Sequence, residues 1–136
     1  MILCTGNSAR SQMADGLLNH IGQGKYDVFS AGTKPGIVRP EAIKALAEIG
    51  IDISQNRSKS VDEFSGVEMD YVLTVCDKAK GDCPYFPAGT KLIHHSFDDP
   101  AEIVGDEETR MAVFRRVRDE IQHYFKNDFV GIINGD

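Results

Sequence analysis

An apolar run ending in a cysteine, Ile2-Leu3-Cys4, is joined to a stretch of helical period by only five small or polar residues, Thr5 to Ala9, and an arginine, Arg10. This junction constrains the fold more than any other part of the chain. The run "MILC" reads as the end of a short buried strand. It is short on its N-terminal side, so a few further residues are expected before it. After Arg10, "SQMADGLLNHIG" places Met13, Leu17, Leu18 and Ile21 at helical spacing, with Gly22 as a stop. A strand that passes so quickly into a helix points to an α/β architecture.

The remaining elements extend that pattern. "YDVFSAG" reads as a strand and turn, and "RPEAIKALAEIG" as a helix with Pro40 in its first turn and Gly50 at its end. "DYVLTVC" reads as a third buried strand with Cys76 at its C-terminal end, and "KLIHHSF" as a fourth. "DEETRMAVFRRVRDEIQHYFK" reads as a long helix with Met111, Phe114, Val117, Ile121 and Phe125 on one face. The order β-α-β-α-β-β-α predicts one small α/β domain over residues 1–136, with a mainly parallel four-stranded sheet flanked by helices. Ligands of such sheets bind beyond the carboxyl ends of the strands, where Cys4, Cys76 and, just past the fourth strand, Asp99 fall.

At 136 residues the chain is long enough to bury roughly two thirds of its unfolded surface, so it needs no disulfide or metal staple. A net charge of -6 argues against nucleic acid or an anionic membrane as the main partner, though local geometry still permits a small anion. "MILC" has neither a basic region nor a long apolar core of the kind a secretion signal needs, and a cytoplasmic location is expected. In a reducing compartment the three cysteines, Cys4, Cys76 and Cys83, are reactive or buried thiols rather than structural staples.

The loop itself carries chemistry. Between a strand and a helix N-terminus, successive N–H groups of Thr5, Gly6, Asn7, Ser8 and Ala9 can turn inward to make an anion nest. Gly6 and Asn7 are the residues best suited to left-handed backbone angles there. Arg10 adds a planar two-pronged clamp for a tetrahedral oxyanion. That positive field suits a thiolate nucleophile at Cys4, and Ser11 stands next to Arg10 to donate a hydrogen bond to it. A cysteine and an arginine at this spacing mean little alone; the preceding strand, the following helix and the small residues between make the signal specific.

"LCTGNSARSQMADG" resembles the loop of the low-molecular-weight tyrosine phosphatase fold and, more narrowly, that of thioredoxin-coupled arsenate reductases built on it. "VFSAGT", "AIKALAEIGIDIS", "VLTVCDKAKGDCP", "FDDPA" and "FRRVRDEI" agree in order along nearly the whole chain. The resemblance implies reduction of arsenate to arsenite for arsenic detoxification, without a cofactor. Cys4 attacks arsenate, Asp99 protonates the departing oxygen, Cys76 attacks Cys4 and Cys83 attacks Cys76. The resulting Cys76–Cys83 disulfide is reduced by thioredoxin. Arsenate and thioredoxin are therefore the implied partners, and a monomer is expected. A straight helix from 76 to 83 would hold those residues roughly 10 Å apart, beyond the reach of a disulfide, so "CDKAKGDC" must loop or unwind when oxidised.

Some relatives bind potassium beside the loop through an asparagine, an acid, a serine and an aspartate. Asn7, Asp15 and Ser30 match the first three types, and Lys59 stands at the fourth place, so an ammonium replaces the metal and no potassium dependence is expected. Asp98 is expected to cap the turn beside Asp99. His94 and His95 match no usual zinc spacing. Arg115, Arg116 and Arg118 read as a solvated face diluted by Asp119 and Glu120. The alternatives are a tyrosine phosphatase using Cys4, Arg10 and Asp99, and a non-catalytic oxyanion-binding or redox-sensing module. Ala101 after Pro100 and the absence of tryptophan weigh against the phosphatase, and the acid Asp99 weighs against the module.

Overall fold

Strand β1 (Ile2–Cys4) lies inside a four-stranded sheet with β2 (Ser30–Gly32), β3 (Tyr71–Thr74) and β4 (Lys91–His94), in the spatial order β2-β1-β3-β4. The computed structural model describes residues 1–77, 81 and 89–129. Among the described residues every strand pairing is parallel, so the sheet there is more uniform than the mainly parallel one expected. The helices among the described residues are α1 (Arg10–Gly22), α2 (Pro40–Ala47) and α3 (Glu107–His123). No helix among those residues is long and apolar enough to cross a membrane.

The inner strands are apolar because both of their faces are covered. Ile2, Leu3, Val72 and Leu73 are buried, whereas Leu92 on the edge strand β4 is exposed. The strands are shorter than their apolar runs. β1 offers β2 only Ile2 to Cys4 as partners, so the ladder covers Ser30 to Gly32 and leaves Tyr26 to Val28 outside it. Val75 continues beyond β3 through its N–H on the Leu3 carbonyl, at 3.0 Å, and this carries the chain on towards Cys76.

The apolar stripe expected on α1 describes only part of its contacts. Ser11, Gln12, Ala14 and Gly16 are buried along with Met13, Leu17 and Leu18. A Cβ on Gly16 would stand 2.6 Å from Leu46 Cδ1 and 2.7 Å from Ile53 Cγ2, so α2 and the segment after it approach α1 more closely than any other residue would allow. Gly22 closes α1 but does not reverse the chain. Gln23 and Gly24 take the positive φ angles there. After α2, Gly50 does take the left-handed turn, with φ 83°.

Helix α3 starts at an Asp106 cap on the Thr109 N–H and buries Met111, Phe114, Val117 and Ile121. Its apolar face continues through Phe125 in a π-helical turn, Tyr124–Phe129. The arginines of this helix do not form a simple solvated face. Arg118 is buried, and its guanidinium donates to the Ala45 carbonyl at 2.8 Å and to Glu48 at 3.0 Å. Its head satisfies a carbonyl near the end of α2. Arg115 pairs with the same Glu48, and Arg116 with Glu120 and Asp98.

Candidate functional site

The loop between β1 and α1 is built by disposing of its carbonyls. The Cys4 carbonyl accepts from Thr33 N–H, the Thr5 carbonyl from Lys34, the Gly6 carbonyl from Gly36 and the Ser8 carbonyl from Arg39, at 2.8 to 3.2 Å. Ala9 accepts from Met13 as α1 begins, and Asn7 accepts from the Gln12 side chain. With the carbonyls of residues 4 to 9 engaged outside the loop, the peptide N–H groups are free to face its interior. No side chain caps the N-terminus of α1, which leaves those amides to the loop as well.

Asn7 alone takes the left-handed conformation, with φ 47°. Gly6, expected to share it, does not. It serves instead by being small, since a Cβ there would press on Ser8 Oγ at 3.1 Å. The Asn7 N–H donates to Cys4 Sγ at 3.1 Å. Ser11 Oγ lies 2.9 Å from the same sulfur, where the sequence placed it.

The direction of that last bond follows from its neighbours. Lys59 N–H can only donate, and it donates to Asn7 Oδ1 at 3.0 Å. The Asn7 amide is thereby fixed with Nδ2 towards Ser11 Oγ, at 2.7 Å. Ser11 accepts that hydrogen, and its own proton goes to the sulfur. Cys4, buried at the end of β1, thus receives two donors on its sulfur.

Across the mouth of the loop, Arg10 Nη2 stands 3.4 Å from Asp99 Oδ2, and Nη1 donates to the Phe97 carbonyl at 3.3 Å. Asp99 also caps a short 3-10 turn, Pro100–Glu102, by accepting from Ala101 N–H. The capping role expected of Asp98 therefore falls to Asp99, while Asp98 turns outward to Arg116 at 3.1 Å. The two adjacent carboxylates diverge because neighbouring residues of an extended chain face opposite ways.

Cys76 is buried two residues beyond β3, and its sulfur lies 3.4 Å from Thr5 Oγ1, at the edge of the loop. The following residue, Asp77, accepts from or pairs with His94 Nε2 at 2.9 Å, and His94 Nδ1 meets Thr74 Oγ1 at 2.7 Å. His95 points elsewhere and stacks on Tyr124, with ring centroids 4.2 Å apart. Cys83 lies outside the described residues.

Behind the loop, Ser30 Oγ donates to Asp15 Oδ2 at 2.7 Å, and Lys59 Nζ reaches Ser30 Oγ at 3.4 Å. The ammonium so contacts Ser30 and faces the charge of Asp15, while Asn7 is held by the Lys59 backbone N–H and not by the ammonium. Burial raises the Asp15 carboxyl above its ordinary range, opposed by the Ser30 hydrogen bond and by the Lys59 charge. Burial also lowers the Lys59 ammonium, opposed by Asp15.

Three features of the site escaped the sequence. Gly32 pairs with Cys4 in the sheet, and a Cβ on it would lie 2.5 Å from the Thr5 carbonyl. The stretch from Thr33 to Arg39 supplies N–H groups, which every residue but proline carries, so its side chains give no signal. Gln12 is a fully buried polar residue among apolar ones, and its presence in the first turns of α1 was a clue available from the pattern.

The low molecular weight phosphotyrosine protein phosphatase family matches residues 1–129. The arsenate reductase of Halalkalibacterium halodurans is 48% identical over 119 residues, which cover 88% of this chain and 86% of that protein. A solved structure of an arsenate reductase in an oxidized state superposes with a TM-score of 0.81 at 30% identity, covering 97% of this chain and 96% of the other. A thioredoxin-dependent arsenate reductase of Corynebacterium glutamicum superposes with a TM-score of 0.68 at 25% identity over 92% of this chain and 58% of that longer one.

Proposed function

We propose, for a chain that belongs to the low molecular weight phosphotyrosine protein phosphatase family, that it is an enzyme reducing arsenate to arsenite. The observation that carries this reading is the convergence of two buried thiols on one oxyanion loop. Cys4 lies at its base with two donors on the sulfur, and Cys76 touches Thr5 at its edge. Phosphate ester hydrolysis needs only the first thiol, whereas a two-electron reduction needs a second. Relatives named arsenate reductase at 42–48% identity support the same substrate.

In the proposed sequence the loop amides of Thr5 to Ala9 and the Arg10 guanidinium hold the arsenate oxygens. The Cys4 thiolate attacks arsenic, and one oxygen departs as water with a proton from Asp99, which stands beside Arg10. Cys76 then attacks the Cys4 sulfur. The electron pair of the S–As bond stays on arsenic, which leaves as arsenite, and a Cys4–Cys76 disulfide remains. Cys83 attacks Cys76, Cys4 leaves as thiolate, and the Cys76–Cys83 disulfide passes to thioredoxin, whose dithiol is oxidised in turn. Ser11 supports the Cys4 thiolate both as nucleophile and as leaving group. Lys59 supplies in place of potassium the positive charge that Asp15 faces.

The test follows NADPH consumption with arsenate, thioredoxin and thioredoxin reductase. Wild type is expected to turn over, and Cys83→Ser and Cys76→Ser to stop. Hydrolysis of an aryl phosphate by wild type without arsenate-dependent oxidation of NADPH would replace this reading with the phosphatase. Turnover that survives in Cys83→Ser would remove Cys83 from the relay.

A further inference from the structure

We infer that Gln12 is a positioning residue for the oxyanion loop, its buried carboxamide holding Asn7 in the left-handed turn that aims the loop inward. The inference rests on the oxyanion chemistry proposed for that loop and extends it to a residue that touches neither the sulfur nor the place of the oxyanion. Gln12 Nε2 lies 3.1 Å from the Asn7 carbonyl, 3.0 Å from Asn7 Oδ1 and 3.0 Å from the Arg57 carbonyl, so its two hydrogens serve three acceptors and one of them is shared. Its Oε1 accepts from Asn56 Nδ2 at 3.2 Å. Two of the partners of Nε2 are backbone carbonyls, which can only accept, so the orientation of this amide is chemically determined.

The grip answers a specific need. The left-handed angles of Asn7 turn its carbonyl away from the stretch 33–39, whose N–H groups serve Cys4, Thr5, Gly6 and Ser8. That carbonyl would be buried without a donor unless a side chain reached it, and Gln12 does. The same nitrogen binds Asn7 Oδ1, so both the main chain and the side chain of Asn7 are held. Asn7 in turn gives its N–H to Cys4 and its Nδ2 to Ser11, which bonds Cys4. The left-handed region is disfavoured for residues with a side chain, and Asn visits it only with local support. Without that grip, relaxation of Asn7 would turn one loop amide outward and disturb the two donors on sulfur together.

The test uses the whole protein with Gln12→Met, which keeps the volume and removes the hydrogen bonds. Gln12→Glu is the second variant, keeping the shape but losing the donors. The readouts are the dissociation constant of inorganic phosphate by titration calorimetry, KM and kcat for arsenate in the thioredoxin-coupled assay, and the melting temperature. Both variants are expected to weaken phosphate binding and to raise KM about tenfold or more, with a smaller change in kcat. Asn56→Ala leaves the Nε2 grip in place and is expected to stay within about twofold of wild type. A lower melting temperature with unchanged phosphate affinity and KM would make Gln12 a purely structural residue and overturn the proposal. Loss of the fold in both variants would do the same. Wild type that binds phosphate but turns over no arsenate removes the reductase reading, and the phosphate titration of the variants still decides on Gln12.

Discussion

Replacing Gly32 by alanine tests whether the loop is held at its back by the absence of a single carbon. Gly32 lies beside Cys4 in the sheet, and the added Cβ would stand 2.5 Å from the Thr5 carbonyl oxygen, 3.0 Å from Asn7 N and 3.1 Å from Asn7 Cβ. The carbonyl must retreat by about 0.9 Å to reach ordinary van der Waals distance, and interiors have few voids to receive it. It cannot swing like a side-chain tip, because it is backbone and is bonded to Lys34 N–H at 2.8 Å. Asn7 N, also pushed, is one of the two donors on the Cys4 sulfur. Overpacking of this kind costs about 1–3 kcal/mol. With an unfolding entropy that scales with the 136 residues, the melting temperature should fall by roughly 3–10 °C. Displacement of a reacting group by close to 1 Å costs about a hundredfold in rate. The assay is arsenate turnover beside phosphate titration, at a temperature where the variant is folded. Gly36→Ala is the control, since a Cβ there meets nothing within 4 Å. A folded Gly32→Ala protein with turnover within threefold of wild type would refute the reasoning.

Arg118→Met is expected to lose about 2–4 kcal/mol in urea unfolding, because the Ala45 carbonyl loses its buried charged donor; Arg115→Ala, whose pair with Glu48 is exposed, should lose much less than Arg118→Met, and an equal loss would contradict the reading. Turnover in potassium chloride and in sodium chloride at equal ionic strength should agree, because Lys59 Nζ already stands at Ser30; stimulation by potassium above about twofold would remove Lys59 from that role. Lys59→Met should push the Asp15 carboxyl further above its ordinary 3.8, since the lysine charge opposes the burial that raises it. A carboxyl raised in the folded state binds more protons folded than unfolded, so its contribution is full below 3.8 and is lost as pH rises through the folded value. The stability deficit of Lys59→Met should therefore grow as pH is raised from 4 towards neutrality, and a deficit that stays constant with pH in urea melts would contradict this assignment.

The order of elements was legible because each apolar run is followed by a stretch of different period, and Cys4, Arg10 and Ser11 were legible because their spacing maps onto one turn between strand and helix. What stayed hidden depends on contacts distant in sequence. Gly6 and Asn7 were equally able to turn left-handed, and only the buried partners of Asn7 decide between them. Asp98 and Asp99 look alike in sequence, and their different roles follow from Arg116 on one side and Arg10 on the other. Arg118 read as solvated because its neighbours are charged, yet it faces a carbonyl that α2 brings to it from 73 residues away.

Holding the loop carbonyls through backbone donors also governs how this surface can drift in sequence. Lys34, Gly36 and Arg39 give the loop their peptide N–H groups, so the side chains of Lys34 and Arg39 are not needed to hold it and are left to whatever approaches the mouth. A new rim, more acidic or more aromatic, could be written there without retuning the loop beneath. The one letter barred from positions 33, 34, 36 and 39 is proline, which has no N–H to give. The chain does place a proline in this stretch, and it stands at 35, between two donors, where no carbonyl of the loop waits for it.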